Sequence, residues 1–324
     1  MDRRIKIFSG NAHRALAEKI AERVGIPLSV ATVGRHPDGE IYAMFEETVR
    51  GRDVFIVQPT GGGNPNENLM ELLVMADAAK RASAREVAAV IPYMGYARQD
   101  CKDRSRVPIS AKLVANLLTA AGVGRVVAMD LHSPQIQGFF DIPVDHLYAS
   151  PVIVGHLDAA LEAGAEHRVV VAPDPGSLKT AYAYSKRLGA GLALAGKQRT
   201  SDTEVEALEL VGDVKGKDCV LTDDMTSTAG TLCAAAGLLA KAGAKSIRAA
   251  VSHCLLNEMG EKRLRESPIE ELVTTDSLPQ PERDLGKVRF TVLSIAGLLG
   301  DAIQRIYGNE SVSKLFEIRP GRTT

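Results

Sequence analysis

The stretch VLTDDMTSTAGTLCAAA, residues 220–236, joins an apolar run, two acids, a polar loop and an alanine-rich segment. The apolar run ends at the adjacent carboxylates Asp223 and Asp224, which are followed by three hydroxyl side chains and Gly230. The alanine-rich segment after this glycine favours a helix. A strand that leads through a polar loop into a helix is the repeating unit of parallel α/β sheets, so this stretch predicts that fold class.

The same alternation of strand and helix patterns continues along the chain. Eight short runs are almost continuously apolar, as expected for strands that are buried on both faces of a sheet. They are RIKIFSG, DVFIVQPT, EVAAVIPYMGY, RVVAMDLH, RVVVAPD, DCVLTDD, SIRAAVSH and ELVTTDS. Helical patterns lie between them, and in residues 66–82 one face carries Leu69, Leu72, Leu73 and Ala76. These patterns predict α/β domains, each with a mainly parallel sheet flanked by helices.

The length of 324 residues favours two domains of ordinary size. We place their boundary near residue 148, where a strand pattern gives way to the helical pattern SPVIVGHLDAAL. The expected division is a first domain of residues 1–148, a second of residues 149–305 and a tail of residues 306–324. The polar segment 204–216 is expected to form either a connector or a short hairpin.

The composition argues against several classes of protein. The 39 basic and 40 acidic residues nearly balance, so neither a general nucleic-acid-binding protein nor a membrane-surface protein is expected. Four cysteines without CxxC spacing argue against a disulfide framework and a structural zinc site. No apolar run approaches the ~18 residues of a membrane span, and the expected location is the cytoplasm. Any anion site must depend on local groups, because the net charge is only -1.

The polar loop from Thr226 to Thr231 has the features of a phosphate site. Backbone N–H groups at a helix N-terminus form a cradle for anions, and the hydroxyl side chains add further donors. Gly230 is expected to allow a close approach to this cradle. Asp223 and Asp224 just upstream could accept hydrogen bonds from the vicinal hydroxyls of a ribose. The combination predicts a sugar-phosphate site; the alternative is an ordinary capped helix preceded by solvent-facing acids.

Two basic segments could bind the phosphates of a second ligand. The loop ARQDCKDRSR begins with Arg98 and Gln99, and arginine makes bidentate contacts with phosphate. Lys197 and Arg199, in the segment GKQRT, could neutralise the negative charge of the same phosphates. The alternatives are a solvated charged loop for the first segment and two ordinary surface cations for the second.

Four further residues are weaker candidates. His132 and Asp174 each follow a predicted strand, and together with substrate phosphates they would suffice for a sparse magnesium site. Each could equally be a hydrogen-bonded structural residue. Asp38 and Glu40, in the segment RHPDGEIY, indicate a turn with exposed acids.

The order and length of the motifs resemble one known family. The most specific stretches are NENLMELLVMADAAKRASA, GYARQD, SRVPISAKLVANLL, DLHSPQIQGFFDIPVDHLYASP and DDMTSTAGT. They resemble the ribose-phosphate pyrophosphokinases, also called phosphoribosyl pyrophosphate synthetases, and the resemblance runs from IKIFSGNAH through SVSKLF. It therefore covers nearly the whole chain.

The resemblance implies a fold, an assembly and a reaction. The fold would be two phosphoribosyltransferase-type domains, with the C-terminal tail returning to the first domain, in a homohexamer built from dimers. The reaction would be the magnesium-dependent transfer of the diphosphoryl group of ATP to the C1 hydroxyl of ribose 5-phosphate. Its products, 5-phosphoribosyl 1-diphosphate and AMP, would feed nucleotide biosynthesis.

The resemblance also assigns roles to five groups of residues. Ribose 5-phosphate would contact Asp223, Asp224, Ser227, Thr228, Ala229, Gly230 and Thr231. ATP would contact His36, Arg98 and Gln99, and, from a neighbouring subunit, Asp38 and Glu40. The magnesium ligands would be His132 and Asp174, and the catalytic cations Lys197 and Arg199. A regulatory site for ADP or inorganic phosphate would include Arg50, Arg104, Ser311 and Ser313.

Four positions depart from the family pattern near these sites. His36 replaces an aromatic residue, Cys101 a basic residue, Ser177 a glycine and Ser227 an aspartate. An alternative to an active synthetase is therefore a non-catalytic relative that regulates an active partner in a mixed assembly. A phosphoribosyltransferase that shares only the sugar-phosphate loop is disfavoured by the motifs GYARQD and DLHSPQIQGFF in the first half.

Overall fold

Two β-sheets of largely parallel strands organise the chain, as the sequence predicts. The computed structural model describes residues 4–161, 164–198 and 207–316. Two compact units divide the chain. The first comprises residues 1–148, 277–279 and 295–324, and the second comprises residues 149–276 and 280–294.

The first unit contains a fully parallel five-stranded sheet and a separate hairpin. Its strands are β1 (Ile5–Ser9), β2 (Ala31–Arg35), β3 (Ile41–Phe45), β4 (Asp53–Val57), β5 (Glu86–Ile91), β6 (Arg125–Met129) and β7 (Val144–Leu147). The order across the sheet is β1-β4-β5-β6-β7, while β2 and β3 pair with each other in antiparallel register. The carboxyl ends of all five parallel strands therefore lie at one edge, where ligands bind in open α/β sheets.

In its described residues this unit has four α-helices: α1 (Arg14–Val24), α2 (Pro65–Arg81), α3 (Ser110–Ala121) and α8 (Ala296–Tyr307). The helical face predicted for residues 66–82 is confirmed, because Leu69, Leu72 and Ala76 of α2 are buried and Leu73 is partly buried. They pack into one core with strand residues such as Ile56.

Helix α8 packs against α1, although the two are far apart in the sequence. Arg23 donates to both carboxylate oxygens of Asp301, with Nε–Oδ1 at 2.7 Å and Nη2–Oδ2 at 3.0 Å. Gln304 Nε2 donates to the carbonyl of Val24 at 3.2 Å. These contacts join α8 to the first helix of the unit.

The second unit contains a seven-stranded sheet. Its strands are β8 (Arg168–Ala172), β9 (Gly191–Gln198), β10 (Ala207–Val211), β11 (Asp218–Thr226), β12 (Ser246–Cys254), β13 (Glu271–Thr275) and β14 (Arg289–Leu293). The order is β10-β9-β8-β11-β12-β13-β14, and every neighbouring pair is parallel except β9 and β10. Of the segment 204–216, for which the sequence left a connector or a short hairpin open, residues 207–211 form the strand β10, which pairs with β9 outside the segment.

Within the ranges that the structure covers, four α-helices flank this sheet: α4 (Ser150–Ala160), α5 (Leu178–Leu188), α6 (Gly230–Lys241) and α7 (Glu258–Arg265). The buried face of α6 carries Leu232, Ala235, Ala236 and Leu239, and it packs into one core with strand residues such as Leu221. Across the described ranges of both units, no helix is long and apolar enough to cross a membrane.

Candidate active site

Three carboxylates lie near the carboxyl ends of two neighbouring strands of the second unit. Asp174 comes two residues after β8 ends, and Asp223 and Asp224 lie near the end of β11. The pairing of β11 with β8 extends only to Leu221, so the two adjacent acids lie beyond the last paired position. The sheet thus concentrates negative charge at the edge where ligands bind.

The surroundings of Asp223 disfavour its ionised form. Burial, followed by the negative charges of Asp224 and Asp174, raises the pKa of Asp223 to about 8. The N–H of Asp224 donates to Asp223 Oδ1 at 2.9 Å, and the N–H of Met225 donates to Asp224 Oδ1 at 2.9 Å. The backbone therefore orients both carboxylates, and the two side chains also interact with each other.

The polar loop after these acids leads into α6 as the sequence predicts. Helix α6 begins at Gly230 and has no side-chain cap in the described structure. Its N-cap, Ala229, has φ of 52°, in the left-handed region that non-glycine residues rarely adopt. Such a conformation next to a helix N-terminus turns successive N–H groups toward one point, as in other anion-binding loops.

The structure shows a packing contact at Gly230, beside which the ligand approach expected from the sequence stays a prediction. A Cβ atom built on Gly230 would lie 3.0 Å from Nη1 of Arg263. The absence of a side chain therefore makes room for this guanidinium, and the unusual backbone conformation belongs to Ala229.

Asp174 is fixed by a residue that departs from the family pattern. The N–H of Ser177 donates to Asp174 Oδ1 at 3.0 Å, and the Ser177 hydroxyl donates to the Asp174 carbonyl at 2.9 Å. Ser177 is buried in the turn that opens α5. Its hydroxyl thus caps this turn and holds the Asp174 carboxylate in place.

A pocket of about 460 Å³ lies in the first unit, next to the basic loop after β5. Its lining residues are Tyr93, Tyr96, Arg98, Gln99, Cys101, Asp103 and Ser110. The carbonyl of Gln99 accepts from the N–H of Ala111 at 3.2 Å, and its side-chain oxygen accepts from Ser110 at 2.7 Å. The first turn of α3 therefore positions Gln99, while Arg98 brings a positive charge to the pocket.

The hairpin β2–β3 ends in the exposed turn that the sequence predicts for Asp38 and Glu40. Asp38 Oδ1 accepts from the N–H of Glu40 at 3.2 Å, and the N–H of His36 donates to the Glu40 carbonyl at 2.8 Å. The His36 ring lies 5.0 Å from the ring of Tyr42, measured between centroids. An exposed ring and two exposed acids thus share this tip.

His132 lies three residues after β6, in the first unit, and is exposed. The loop before it is held by His146, whose Nε2 accepts from the N–H of Leu131 at 3.0 Å. Asp174 belongs to the second unit. In the ranges that the structure covers, no group of three or more His, Cys, Asp or Glu side chains is arranged to hold a metal ion.

The remaining candidates lie at scattered positions. Lys197 is in β9, opposite position 208 of β10, and Arg199 lies outside the described residues. Arg50 follows β3 in an exposed turn, and Arg104 is exposed in the loop before α3. Ser311 and Ser313 follow α8, and the Ser311 carbonyl accepts from Arg305 Nη1 at 3.1 Å.

Sequence reasoning missed a group of residues behind the polar loop of residues 226–231. Asn257, Gly260 and Arg263, in or next to α7, contact the backbone of Ser227 and Thr228. One signal was available, because a glycine inside a strongly charged helical segment usually marks a close packing contact.

Comparison with known proteins points to the family that the sequence resembles. Residues 5–122 match the model of the N-terminal domain of ribose phosphate pyrophosphokinase, and residues 202–317 match that of the phosphoribosyl synthetase-associated domain. A ribose-phosphate pyrophosphokinase of Rhodopirellula baltica is 52% identical over 98% of this chain and 100% of that protein. Ribose-phosphate pyrophosphokinase A of Dictyostelium discoideum is 46% identical over 98% and 99% of the two chains.

A solved structure agrees with these relatives. The crystal structure of phosphoribosylpyrophosphate synthetase from Mycobacterium smegmatis superposes with a TM-score of 0.87 at 42% identity, and covers 94% of this chain and 99% of its own. High sequence identity over the full length and a matching fold assign the chain to one family. The chain belongs to the ribose-phosphate pyrophosphokinase family.

Proposed function

We propose that the protein transfers the diphosphoryl group of ATP to the C1 hydroxyl of ribose 5-phosphate. The products are 5-phosphoribosyl 1-diphosphate, which feeds nucleotide biosynthesis, and AMP. The observation that carries this proposal is the sequence of acids, loop and helix at the end of β11. It offers acceptors for sugar hydroxyls and, next to them, N–H donors for a phosphate.

The sugar site is proposed to have two parts. Asp223 and Asp224 accept hydrogen bonds from the ribose hydroxyls, and residues 227–231 bind the 5-phosphate through N–H groups and hydroxyls. This arrangement leaves C1 free to react. The C1 oxygen attacks the β-phosphorus of ATP, the bond from that phosphorus to the oxygen bridging the α-phosphorus breaks, and AMP leaves with both electrons. The proton of the C1 hydroxyl passes to solvent.

The ATP site is proposed to include the pocket of the first unit. Arg98 neutralises phosphate charge, and Gln99 is oriented by α3 to donate or accept at the nucleotide. Asp38 and Glu40 complete the site from a neighbouring subunit, and His36 stacks on the base. This arrangement requires self-association, which we propose to be a homohexamer built from dimers.

Charge developing on the transferred group requires cations. We assign this role to Lys197 and Arg199 because the resemblance gives it to both positions and β9 brings Lys197 to the carboxyl edge of the sheet. Phosphoryl transfer depends mainly on positioning and charge neutralisation, so two cations and a phosphate cradle are a sufficient set of protein groups.

Magnesium is the proposed metal, with Asp174 and His132 as its protein ligands. The oxygen of Asp174 is a suitable donor, and magnesium usually binds through few protein groups together with substrate phosphates. The carboxylates around Asp223 raise the pKa of that group, and a nearby divalent cation would offset their repulsion. When bound, the metal would neutralise charge on the diphosphate.

Three further assignments rest on the same family match. Arg50, Arg104, Ser311 and Ser313 are proposed to form a regulatory site for ADP or inorganic phosphate. The two units of the structure, with the residue ranges given under the fold, are proposed to be phosphoribosyltransferase-type domains. The proposed location is the cytoplasm. A non-catalytic role in a mixed assembly is the second candidate, because Ser227 replaces an acid in the phosphate loop itself.

One assay separates the two candidates. The purified protein is incubated with ATP, magnesium and ribose 5-phosphate, and the products are resolved by phosphorus NMR. AMP that forms only when ribose 5-phosphate is present supports the synthetase. Binding of ribose 5-phosphate without AMP formation, in the presence of magnesium, supports the non-catalytic relative.

A further inference from the structure

Three consecutive carbonyls of the phosphate loop are hydrogen-bonded by one short segment of the chain. The N–H of Leu255 donates to the Thr226 carbonyl at 2.8 Å, and the N–H of Asn257 donates to the Ser227 carbonyl at 3.1 Å. Arg263 Nη1 donates to the Thr228 carbonyl at 3.0 Å. The donors come from residues 255–263, which span the end of β12, Asn257 and α7.

This pattern determines where the loop amides point. The carbonyl and the N–H of one planar trans peptide unit point in opposite directions. When the carbonyls of residues 226, 227 and 228 face the segment 255–263, the N–H groups of residues 227, 228 and 229 face away from it. Those N–H groups are the ones proposed to bind the 5-phosphate.

Helix α7 approaches this loop closely at Gly260. A Cβ atom built on Gly260 would lie 2.5 Å from the Ser227 carbonyl oxygen and 3.3 Å from the Thr228 carbonyl carbon. Gly260 is buried, and its N–H donates to the side chain of Asn257 at 2.9 Å. Gly260 lies in the first turn of α7, and its close contact with the loop leaves no room there for a side chain.

Arg263 lies where the loop meets α6. Its Nη1 is 3.0 Å from the point that a Cβ of Gly230 would occupy. Burial raises the pKa of the Cys233 thiol in the first turn of α6, and the charge of Arg263 acts in the opposite direction. The guanidinium therefore adds positive charge at the helix end that faces the proposed phosphate.

We infer that Asn257, Gly260 and Arg263 form a brace that holds the phosphate loop in its ligand-binding conformation, with Gly260 and Arg263 as positioning residues for ribose 5-phosphate. The inference rests on the proposed function and extends it to residues that do not touch the reacting atoms. The brace acts on the 5-phosphate, which is remote from C1. Its loss should weaken the binding of substrate and transition state alike, and so raise KM with little change in kcat.

The test compares three brace variants with two matched controls. Gly260→Ala should raise the KM for ribose 5-phosphate about tenfold, because a backbone oxygen must move. Arg263→Met should raise it about fivefold, since the lost donor is charged but exposed, and Arg263→Lys should restore part of the affinity. In all three variants kcat and the KM for ATP should stay within about twofold of the wild type.

The controls separate the brace from general effects of the same substitutions. Gly237→Ala replaces a glycine of α6 that has open space around it, and Arg265→Met removes an arginine of α7 that binds the Asp284 carbonyl instead of the loop. Both controls should leave the KM for ribose 5-phosphate unchanged. Calorimetric titration of each variant with ribose 5-phosphate measures the same effect without turnover.

The possible outcomes distinguish failure of the brace from failure of the proposed function. An unchanged KM in Gly260→Ala and Arg263→Met overturns the brace, as does a parallel rise in the KM for ATP or an equal rise in the controls. If Gly260→Ala does not fold, the comparison of Arg263→Met with Arg263→Lys carries the test. A wild type that neither binds ribose 5-phosphate nor forms AMP refutes the proposed function, and the brace falls with it; a wild type that binds normally while the variants match it refutes the brace alone.

Discussion

The surroundings of Asp223 disfavour its charged carboxylate. This charge lowers the stability of the folded protein, whereas the proposed sugar site uses the same carboxyl group to bind the ligand. Its pKa is raised to about 8 by burial and by the charges of Asp224 and Asp174. The ordinary pKa of this acid is 3.8. Its contribution to stability is therefore fully present below pH 3.8 and is lost as the pH rises through the folded-state pKa of about 8. The folded protein should therefore be less stable at pH 9 than at pH 6 because of this group.

Asp223→Asn tests whether this acid both lowers stability at high pH and binds the sugar. Removal of the buried charge should raise the melting temperature at pH 9 by a few degrees, ~3 °C, while ribose 5-phosphate binding and AMP formation are lost. Differential scanning calorimetry at pH 6 and pH 9 gives the first quantity, and isothermal titration gives the second. Asp213→Asn, at an exposed acid near the start of β11, should change neither. An Asp223→Asn protein with wild-type affinity would show that this acid does not contact the sugar.

Ser227 is the position in the proposed phosphate loop, residues 226–231, at which the resemblance leads us to expect an aspartate. Ser227 is half-buried, and its carbonyl is held by Asn257, so the loop is supported even without an acid at this position. An aspartate accepts N–H bonds as a charged group, and such bonds are roughly twice as strong as neutral ones. The difference in loop ordering should be about 1 kcal/mol, which corresponds to about fivefold in affinity.

Ser227→Asp should therefore lower the KM for ribose 5-phosphate several-fold, and the wild type should nonetheless be active. Ser227→Asn is the matched control, because it has the shape of aspartate without the charge. Steady-state kinetics with varied ribose 5-phosphate measures the change. If the wild type is inactive while Ser227→Asp both binds ribose 5-phosphate and forms AMP, the loop is disabled in this protein and the non-catalytic role is correct.

At the scale of elements, sequence patterns predicted what lies close along the chain. The alternation of apolar runs and helical patterns gave both parallel sheets, and the run into Asp223 and Asp224 gave the acids at the end of β11. These predictions succeed because periodicity and turn chemistry are local properties.

Contacts between distant segments could not be predicted in this way. Gly260 and Ser227 meet because β11 pairs with β12, and no local pattern reports that pairing. For the same reason the contact between Gly230 and Arg263 was not predicted. The strained backbone of Ala229 was also missed, because alanine carries no signal for a left-handed conformation.

The hairpin β2–β3 provides a test at the scale of a structural element. Its exposed tip carries Asp38 and Glu40, which are proposed to enter the ATP site of a neighbouring subunit. A variant with both acids changed to alanine and a Lys197→Ala variant should each be nearly inactive. Mixed after partial unfolding and reassembly, they should recover about a quarter of wild-type activity, because about one site in four then combines an intact tip with an intact Lys197.

Each inactive variant treated alone by the same cycle provides the control for this complementation. Sedimentation should show that both variants keep the wild-type assembly, so the loss of activity is not a loss of association. A mixture that stays as inactive as its components, although the subunits have exchanged, would mean that each subunit builds its own ATP site. An active, verified monomer would lead to the same conclusion.

At the scale of the whole molecule, one buried carboxylate links several elements of the second unit. Glu271, at the start of β13, is only 1% exposed and pairs with Arg289 on β14, with its Oε2 2.8 Å from Nη2. Its Oε1 accepts from the Thr291 hydroxyl at 2.7 Å and lies 3.0 Å from Nε2 of His156 on α4. Arg248 on β12 lies 3.4 Å away. Two neighbouring strands and a helix therefore converge on a single acid.

The pKa of Glu271 shows how strongly this cluster favours its charged form. Burial acts to raise the value, but the hydrogen bonds from Arg289, Thr291 and His156 outweigh it and lower the pKa to about 2. Since this lies below the ordinary value of 4.5, the stabilisation is fully present above pH 4.5 and is lost as the pH falls toward 2. Unfolding of the second unit by acid should therefore begin in that range.

Glu271→Gln should remove this pH dependence and destabilise the second unit by about 3 kcal/mol at pH 7, because it leaves Arg289 and Arg248 without their shared partner. Urea unfolding between pH 7 and pH 3 measures both effects as the midpoint at each pH. Glu270→Gln, at the exposed neighbouring acid, should retain the wild-type slope. The expected signature is a variant that is weaker than the wild type at pH 7 but approaches it as the pH falls, since protonation removes the same charge from the wild type. A constant difference between the two proteins at every pH would show that packing of the side chain, rather than its charge, holds β13, β14 and α4 together.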